Sequence, residues 1–336
     1  MGNTRPTADP LAAARSNQPV TLGRYRVERL LGRGAMSAVY LAHDVQTAAP
    51  VAIKTMALQA EFDDSAELIE ARARFFREAQ TAGRLQHRGI VKVITAGEDH
   101  GLAYLAMEYL RGGDLQRHSH AAALLPLPVV LHIGEHVADA LAHAHRHGVV
   151  HRDVKPANVM LDAATGVVTV TDFGIARIAG SSRTRTGMLL GTPSYMSPEQ
   201  LSGRRVDGRA DLYSLGVMLY ELLTGQLPHR AESMAKLLYA IANETAPDVR
   251  SVRAEVPAAL AGLLASVLVK AADARCGDGL QLANRLRDIA AQWPAIGWPM
   301  ALALPPPPPP PPIAASASSA SSVQFSRRDP GHNPAL

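Results

Sequence analysis

The sequence predicts an α+β protein of two lobes, a small strand-rich lobe followed by a larger helical one. Short β-branched or alternating segments, separated by turn residues, fill much of residues 25–108. The pair Gly112-Gly113 then interrupts this pattern, and segments with helical spacing of apolar residues predominate beyond it. Because strands and helices are segregated along the chain, we expect an α+β architecture with a cleft between the lobes.

The small lobe is expected to span about residues 23–108 and to hold an antiparallel sheet with one major helix. Alternating or β-branched patterns predict strands over residues 25–31, 38–42, 51–56, 90–98 and 102–108. The charged stretch 66–85 has helical period instead, with Phe75, Phe76 and Leu85 on its apolar side.

The larger lobe is expected to span about residues 109–296. Apolar periodicity predicts its helices over residues 127–147, 207–224, 234–243, 258–270 and 280–292. Residues 1–22 have the composition of a mobile leader. Eight prolines at 305–312 and a Ser/Ala-rich remainder predict a disordered tail over 297–336. The proline run fits either a docking strip for aromatic grooves or, preferably, a spacer.

Composition argues against several classes of protein. The formal net charge is only +4 and the basic residues are dispersed, so nucleic acid is not an expected partner. The single cysteine, Cys276, excludes an internal disulfide and fits a reducing compartment such as the cytoplasm. The apolar run 256–269 is short for a bilayer, and Pro294 and Pro299 break the run 289–304. No stable membrane insertion is expected.

A reactive constellation lies in residues 151–158, His-Arg-Asp-Val-Lys-Pro-Ala-Asn. Asp153 is placed to orient an attacking hydroxyl, and Lys155 to neutralise charge on a phosphoryl group in transfer. Asn158 and the later Asp172 offer the hard oxygen ligands that Mg²⁺ prefers. This set of groups is the equipment for phosphoryl transfer.

A glycine-containing turn separates the first two predicted strands. Gly32 and Gly34, with Ser37 where a third glycine is usual, would let backbone N–H groups approach phosphate oxygens. Alone, the pattern also fits an ordinary hairpin turn. It is not a Walker A loop, because neither Gly-Lys-Ser/Thr nor a helix follows it.

Lys54 ends the apolar segment Val51-Ala52-Ile53 and is expected to reach nucleotide phosphates from the cleft side. The alternative is an ordinary surface lysine. A lysine in this role needs an acidic partner. Glu78, in the middle of the predicted helix, is preferred over Glu70, which lies nearer the helix start.

These motifs, in this order, resemble those of the eukaryotic-type serine/threonine protein kinases of bacteria, and the resemblance covers the whole folded body. It implies the two-lobed protein kinase fold, ATP and Mg²⁺ as cofactors, and serine or threonine hydroxyls of protein substrates as acceptors. It implies catalytic roles for Lys54, Glu78, Asp153 and Lys155, and metal-binding roles for Asn158 and Asp172. It implies nucleotide contacts from Leu31, Gly32, Gly34, Ser37, Val39, Ala52, Lys54, Met107, Glu108, Leu110 and Met160.

The resemblance also implies an activation segment over residues 172–199, with Ser197 where alanine is usual. Glu199 is expected to pair with Arg275 in a buried anchor. Asp211 is expected to stabilise the backbone of the catalytic loop. A homodimer formed through the small lobes is a further implication of the likeness.

Regulation can be predicted from charge. Arg152 directly precedes Asp153 and would favour a neighbouring anion. Phosphorylation adds about 1.5–2 negative charges. Thr184 and Thr186 are therefore expected autophosphorylation sites that order the loop on Arg152. The alternative is a mobile basic loop that is never modified.

Two other functions are considered. A pseudokinase acting as a scaffold or binding module would lack part of the catalytic set, all of which is present here. A small-molecule phosphotransferase of the same fold would lack the long activation segment. The alternating His143, His145 and His147 do not favour zinc, because helical residues two apart diverge.

Overall fold

The computed structural model describes residues 21–34, 37–58, 65–99, 101–173, 193–294 and 296–298. The predicted leader up to residue 20, the predicted phosphorylation sites Thr184 and Thr186, and the predicted tail from residue 299 lie outside the described residues. The described chain forms a strand-rich lobe followed by a helical lobe, which confirms the predicted fold class.

The small lobe is built on one antiparallel sheet in the order β1-β2-β3-β4-β6-β5. Its strands are β1 (Thr21–Leu22), β2 (Tyr25–Arg33), β3 (Ser37–Asp44), β4 (Pro50–Met56), β5 (Val93–Asp99) and β6 (Leu102–Glu108). Successive side chains of the central strand β4 point to opposite faces of the sheet, and both faces are buried. Ala52 and Met56 enter the cluster around Phe75, whereas Val51 and Ile53 enter the cluster around Tyr25.

Helix α1 (Ser65–Ala82) packs one face on this sheet. Phe75 is 1% exposed and Ala79 is also buried. Phe76, which the sequence placed on the apolar side, is 37% exposed. The helix ends three residues before the predicted end, and Gly83 follows it in a turn.

The larger lobe is organised around two buried helices. Its helices are α2 (Leu127–Arg146), α3 (Pro198–Leu201), α4 (Gly208–Thr224), α5 (Met234–Asn243), α6 (Ala258–Val267) and α7 (Gly279–Ala290). Helix α2 packs against α4 and α7, and nearly every residue of α4 is buried. Asp207 caps α4 by accepting a hydrogen bond from the Arg209 N–H, and Gly225 ends the helix with φ +69°.

A second, three-stranded sheet was not predicted. It consists of β7 (Gly113–Asp114), β8 (Val159–Asp162) and β9 (Val167–Val170), all antiparallel. Strands of two to four residues are too short to show a clear period in the sequence. The β8–β9 hairpin positions the reactive groups described below.

Two predicted boundaries shift at the ends of the fold. Leu22, assigned to the leader, lies in β1 and is fully buried. Trp298, assigned to the tail, packs against the core of the larger lobe. None of the helices within the described ranges is long and apolar enough to cross a membrane.

Candidate active site

The loop that contains Asp153 runs from α2 towards β8 and is held by Asp211, a fully buried residue of α4. The backbone N–H groups of His151 and Arg152 donate to the Asp211 carboxylate at 2.8 and 2.7 Å. His145 Nε2 also donates to this carboxylate, at 2.7 Å. Three donors on one buried carboxylate fix the loop, as the sequence predicted for Asp211.

Arg152 adopts φ +69°, a left-handed conformation that is uncommon for residues other than glycine. Its carbonyl oxygen accepts a hydrogen bond from Gln200 Nε2 at 2.9 Å. Gln200 belongs to a capping box with Ser197 at the start of α3. Gln200 was not among the predicted site residues, although the Ser-Pro-Glu-Gln pattern is a capping-box signal.

Asp153, Lys155 and Asn158 meet at one carboxylate oxygen. Lys155 Nζ lies 2.8 Å from Asp153 Oδ2, and Asn158 Nδ2 donates to the same oxygen at 2.9 Å. Asn158 Nδ2 also donates to the Asp153 carbonyl oxygen at 2.7 Å. The Asp153 side chain is 36% exposed, so an oriented carboxylate faces the cleft with a cation beside it.

Asn158 and Asp172 stand at the open end of the β8–β9 hairpin. Thr171 N–H donates to the Asn158 carbonyl oxygen at 2.9 Å, which brings the two chain segments together. Asp172 has φ +65°. The next residue, Phe173, is 3% exposed and packs on the His151 ring at a centroid distance of 4.6 Å. This packing links the Asp172 segment to the catalytic loop.

Lys54 forms an ion pair with Asp172, and the expected support of Lys54 by Glu78 stays a prediction. Its Nζ lies 2.9 Å from Asp172 Oδ1, and the lysine side chain is 13% exposed. Glu78 is half-buried in α1. The left-handed turn at Asp172 presents its carboxylate to β4, where it neutralises the lysine. Asp172 was predicted only as a metal ligand, and its contact with Lys54 depends on a distance in space that the sequence does not give.

The β2–β3 hairpin carries the glycine-containing turn. Gly32 pairs with Val39 across the hairpin. The Gly34 N–H donates to the Ser37 carbonyl oxygen at 2.7 Å. Leu31 is 38% exposed. Residues 35–36, at the tip of this turn, lie outside the described ranges. Several of the predicted nucleotide-binding residues therefore lie on this one short hairpin.

The apolar residues expected around the adenine come from both lobes. Ala52 pairs with Met107 between β4 and β6, and both are buried. Val39 and Leu110 pack against the cluster that contains them. Met160, in β8 of the other lobe, is half-buried.

The connection between the lobes begins at Glu108, the last residue of β6. Its N–H donates to the Lys92 carbonyl oxygen at 3.0 Å, and its Oε1 accepts from the Lys92 N–H at 2.7 Å. These two bonds fix the backbone at the point where the chain leaves the small lobe.

A buried ion pair between Glu199 and Arg275 anchors helix α3, which follows the catalytic loop in the chain. Arg275 NH1 and NH2 donate to the two Glu199 oxygens at 2.6 and 2.7 Å, as predicted. Burial alone would raise the pKa of Glu199, but the Arg275 guanidinium outweighs burial and holds that pKa below its usual value. The Glu199 carboxylate is therefore charged at neutral pH.

The comparisons with known proteins agree with this geometry. The model of the protein kinase domain matches residues 25–285. The chain is 36% identical over 290 residues to the probable serine/threonine-protein kinase pknA2 of Bifidobacterium longum, covering 85% of this chain and 38% of that protein. It is 37% identical over 249 residues to the serine/threonine-protein kinase PrkC of Bacillus subtilis, covering 74% and 38%.

A solved structure shows the same fold. It is the crystal structure of Rad53 1-466 in complex with AMP-PNP, with a TM-score of 0.65 and 23% identity, covering 78% of this chain and 64% of that chain. The chain spans 38% of the length of each of the two curated relatives. The family match covers most of the chain, and its motif residues occupy one site. This chain therefore belongs to the protein kinase family, among the eukaryotic-type serine/threonine kinases of bacteria.

Proposed function

We propose that this chain transfers the γ-phosphoryl group of ATP to serine or threonine hydroxyls of proteins. The observation that carries the proposal is the convergence of Lys155 and Asn158 on one oxygen of Asp153. This arrangement orients a carboxylate and places a cation next to the position where an acceptor hydroxyl would lie. The names of the curated relatives, all serine/threonine-protein kinases, support the proposed acceptor.

Each residue has a distinct role in this proposal. Asp153 orients the acceptor hydroxyl and accepts its proton as the oxygen attacks the γ-phosphorus of ATP, whose bond to the bridging oxygen breaks and releases ADP. Lys155 offsets negative charge on the phosphoryl oxygens during transfer. Lys54 binds nucleotide phosphates, and Glu78 is retained as the acid that supports it.

The donor set fits Mg²⁺. Asn158 and Asp172 bring an amide oxygen and a carboxylate, which are hard ligands, to the same end of the β8–β9 hairpin. When bound, Mg²⁺ would neutralise phosphate charge. The proposed use of ATP is further supported by the Rad53 structure of the same fold, which is a complex with the nucleotide analogue AMP-PNP.

The nucleotide would lie between the two lobes, beneath the β2–β3 hairpin. Gly32 and Gly34 place no side chain between the hairpin backbone and phosphate oxygens, and Ala52 and Met107 give the adenine an apolar surface. Action on cytoplasmic protein substrates and pairing of two chains through the small lobes are further parts of the proposal.

Regulation by phosphate at Thr184 or Thr186 is also proposed. Arg152 precedes the catalytic acid, and its strained backbone is tied to Asp211 and Gln200. A phosphate bound to the Arg152 guanidinium would further stabilise the loop that contains Asp153. Phosphosite mapping of active protein should find one of the two threonines modified. Full activity of the double alanine variant would contradict this role.

The function is tested by incubating the chain with radiolabelled ATP and Mg²⁺ and mapping the modified residues. Label on serine or threonine in the wild type, and none after chelation of Mg²⁺, is the expected result. Binding of nucleotide without any transfer to itself or to generic protein substrates would instead favour the scaffold function. Asp153→Asn serves as the matched control, because its side chain keeps nearly the same shape.

A further inference from the structure

The segment after α7 returns to the catalytic lobe through three large apolar side chains. Trp293, Ile296 and Trp298 are half-buried and pack against the core of the larger lobe. Both tryptophans of the chain lie in this segment. Tryptophan buries more apolar area than almost any other side chain, so this segment is attached to the lobe and not merely adjacent to it.

Trp298 covers the turn of the β8–β9 hairpin. Gly166, in that turn, has φ +76°, and a Cβ at this position would overlap the Trp298 indole. The indole therefore lies directly on the glycine backbone. No residue with a side chain could both adopt this conformation without strain and leave room for the tryptophan.

His132 of α2 completes this contact, and His132, Gly166 and Trp298 together are called the Trp298 cluster. His132 Nε2 donates to the Gly166 carbonyl oxygen at 2.8 Å, and the His132 ring centroid lies 5.4 Å from that of Trp298. The His132 ring also packs on that of His136, at a centroid distance of 4.0 Å. Burial lowers the pKa of His132, which keeps the ring neutral at neutral pH.

The β8–β9 hairpin connects the Trp298 cluster to the proposed metal ligands. The turn is closed by the Gly166 N–H, which donates to the Asp162 carbonyl oxygen at 2.7 Å. Four paired residues per strand separate the turn from the open end, where Asn158 and Asp172 stand. At about 3.3 Å per residue, this distance is roughly 13 Å. A short, fully paired hairpin transmits a displacement at one end to the other.

We propose that Trp298 is a positioning residue for the metal-binding end of the β8–β9 hairpin, acting through Gly166 and His132. This inference rests on the proposed function of Asn158 and Asp172. Packing of the indole on the turn restricts the tilt of the hairpin and keeps Asn158 and Asp172 at a fixed position relative to Asp153. The coupling is reciprocal, so the metal and nucleotide also stabilise the Trp298 contact.

The first test compares Trp298→Ala with Trp293→Ala, which shortens a tryptophan of the same segment but leaves the indole on Gly166. Trp298→Ala should raise the Mg²⁺ concentration for half-maximal transfer at saturating ATP by about threefold or more. Trp293→Ala should leave it unchanged, and Trp298→Phe should restore most of the affinity. A folded Trp298→Ala protein with the wild-type Mg²⁺ dependence would overturn the inference.

A second measurement does not depend on transfer. In Trp293→Phe the only tryptophan is Trp298, and adding Mg²⁺ to the ADP-saturated protein should change its fluorescence. The same addition to Trp298→Phe, which retains only Trp293, should change the emission less. Equal responses would contradict the coupling. Calorimetry of wild type with Mg·ADP separates the two proposals: absent binding defeats the proposed function, whereas normal binding with no Trp298 response defeats only this inference.

Discussion

The carboxylate of Asp211 holds the backbone of Arg152 in a left-handed conformation. Its Oδ1 accepts the Arg152 N–H at 2.7 Å, while Arg152 has φ +69°. Such a conformation in a residue other than glycine costs about 1–3 kcal/mol and persists only where the surroundings enforce it. The strain at Arg152, the residue before Asp153, is thus balanced by a hydrogen bond to the buried Asp211 carboxylate of α4.

Replacing Asp211 should release this loop. Asp211→Asn exchanges one acceptor oxygen for an NH₂ group facing backbone donors, so buried N–H groups lose their partner. We expect a loss of about 2–3 kcal/mol in the free energy of unfolding, measured in urea, together with a large fall in kcat. Asp288→Asn, a change in α7, is the control and should alter neither. An Asp211→Asn protein of wild-type stability would show that the carboxylate does not hold the loop.

The anchor between Glu199 and Arg275 predicts a strong effect of a single change. Glu199→Gln leaves the Arg275 guanidinium, whose side chain is fully buried, without its counter-ion. We expect about 3–5 kcal/mol of lost stability. The exposed pair Asp248–Arg250 offers a matched control, and Asp248→Asn should have little effect. Equal denaturation midpoints for the two variants would contradict the assignment.

The same pair predicts a pH dependence. Because the folded-state pKa of Glu199 lies below its unfolded value of about 4.5, its contribution to stability is complete above that pH. It is lost as the pH falls through the lowered pKa, where the folded carboxylate takes up its proton. Wild type should therefore lose more stability than Glu199→Gln between pH 6 and pH 3. Parallel stability curves for the two proteins would rule out this contribution.

His229 predicts a second acid sensitivity. Burial, and then the neighbouring Lys270, lower the pKa of His229 to about 4. Lys270 Nζ lies 3.0 Å from His229 Nε2, a contact that requires a neutral imidazole. The unfolded chain binds this proton near pH 6.5, so stability should fall between pH 6.5 and pH 4. Allowing for solvent screening, the loss is about 1–2 kcal/mol.

His229→Phe removes the titrating group and keeps a ring of similar size. Its free energy of unfolding should vary less between pH 6.5 and pH 4 than that of wild type, as followed by urea denaturation. His147→Phe, at an exposed position, is a control that should keep the wild-type slope. An unchanged slope in His229→Phe would assign the acid sensitivity to other groups.

The sequence predicted some elements closely because their patterns were strong. The strand Leu102–Glu108 and the helix Met234–Asn243 were predicted to the residue. Some contacts between distant segments were not predicted. The ion pair between Lys54 and Asp172 joins residues far apart in the chain, and the sequence does not give their distance in space.

The attachment of Trp298 illustrates a second limit. Prolines interrupt the segment around it, and neither helical nor strand periodicity marks it as part of the fold. Its place is set by Gly166 and His132, more than a hundred residues earlier in the chain. The residues of the phosphoryl-transfer motif were recognisable because eight neighbouring positions carry most of that chemistry.

The most direct test of the proposed catalytic site compares wild type with Asp153→Asn at saturating Mg·ATP. Asp153 receives both Lys155 and Asn158 on one oxygen, so its loss removes the group that orients the acceptor. The variant should bind Mg·ADP with wild-type affinity by calorimetry, while kcat for phosphoryl transfer falls by about 100-fold or more. Transfer by Asp153→Asn at the wild-type rate would contradict the assigned role.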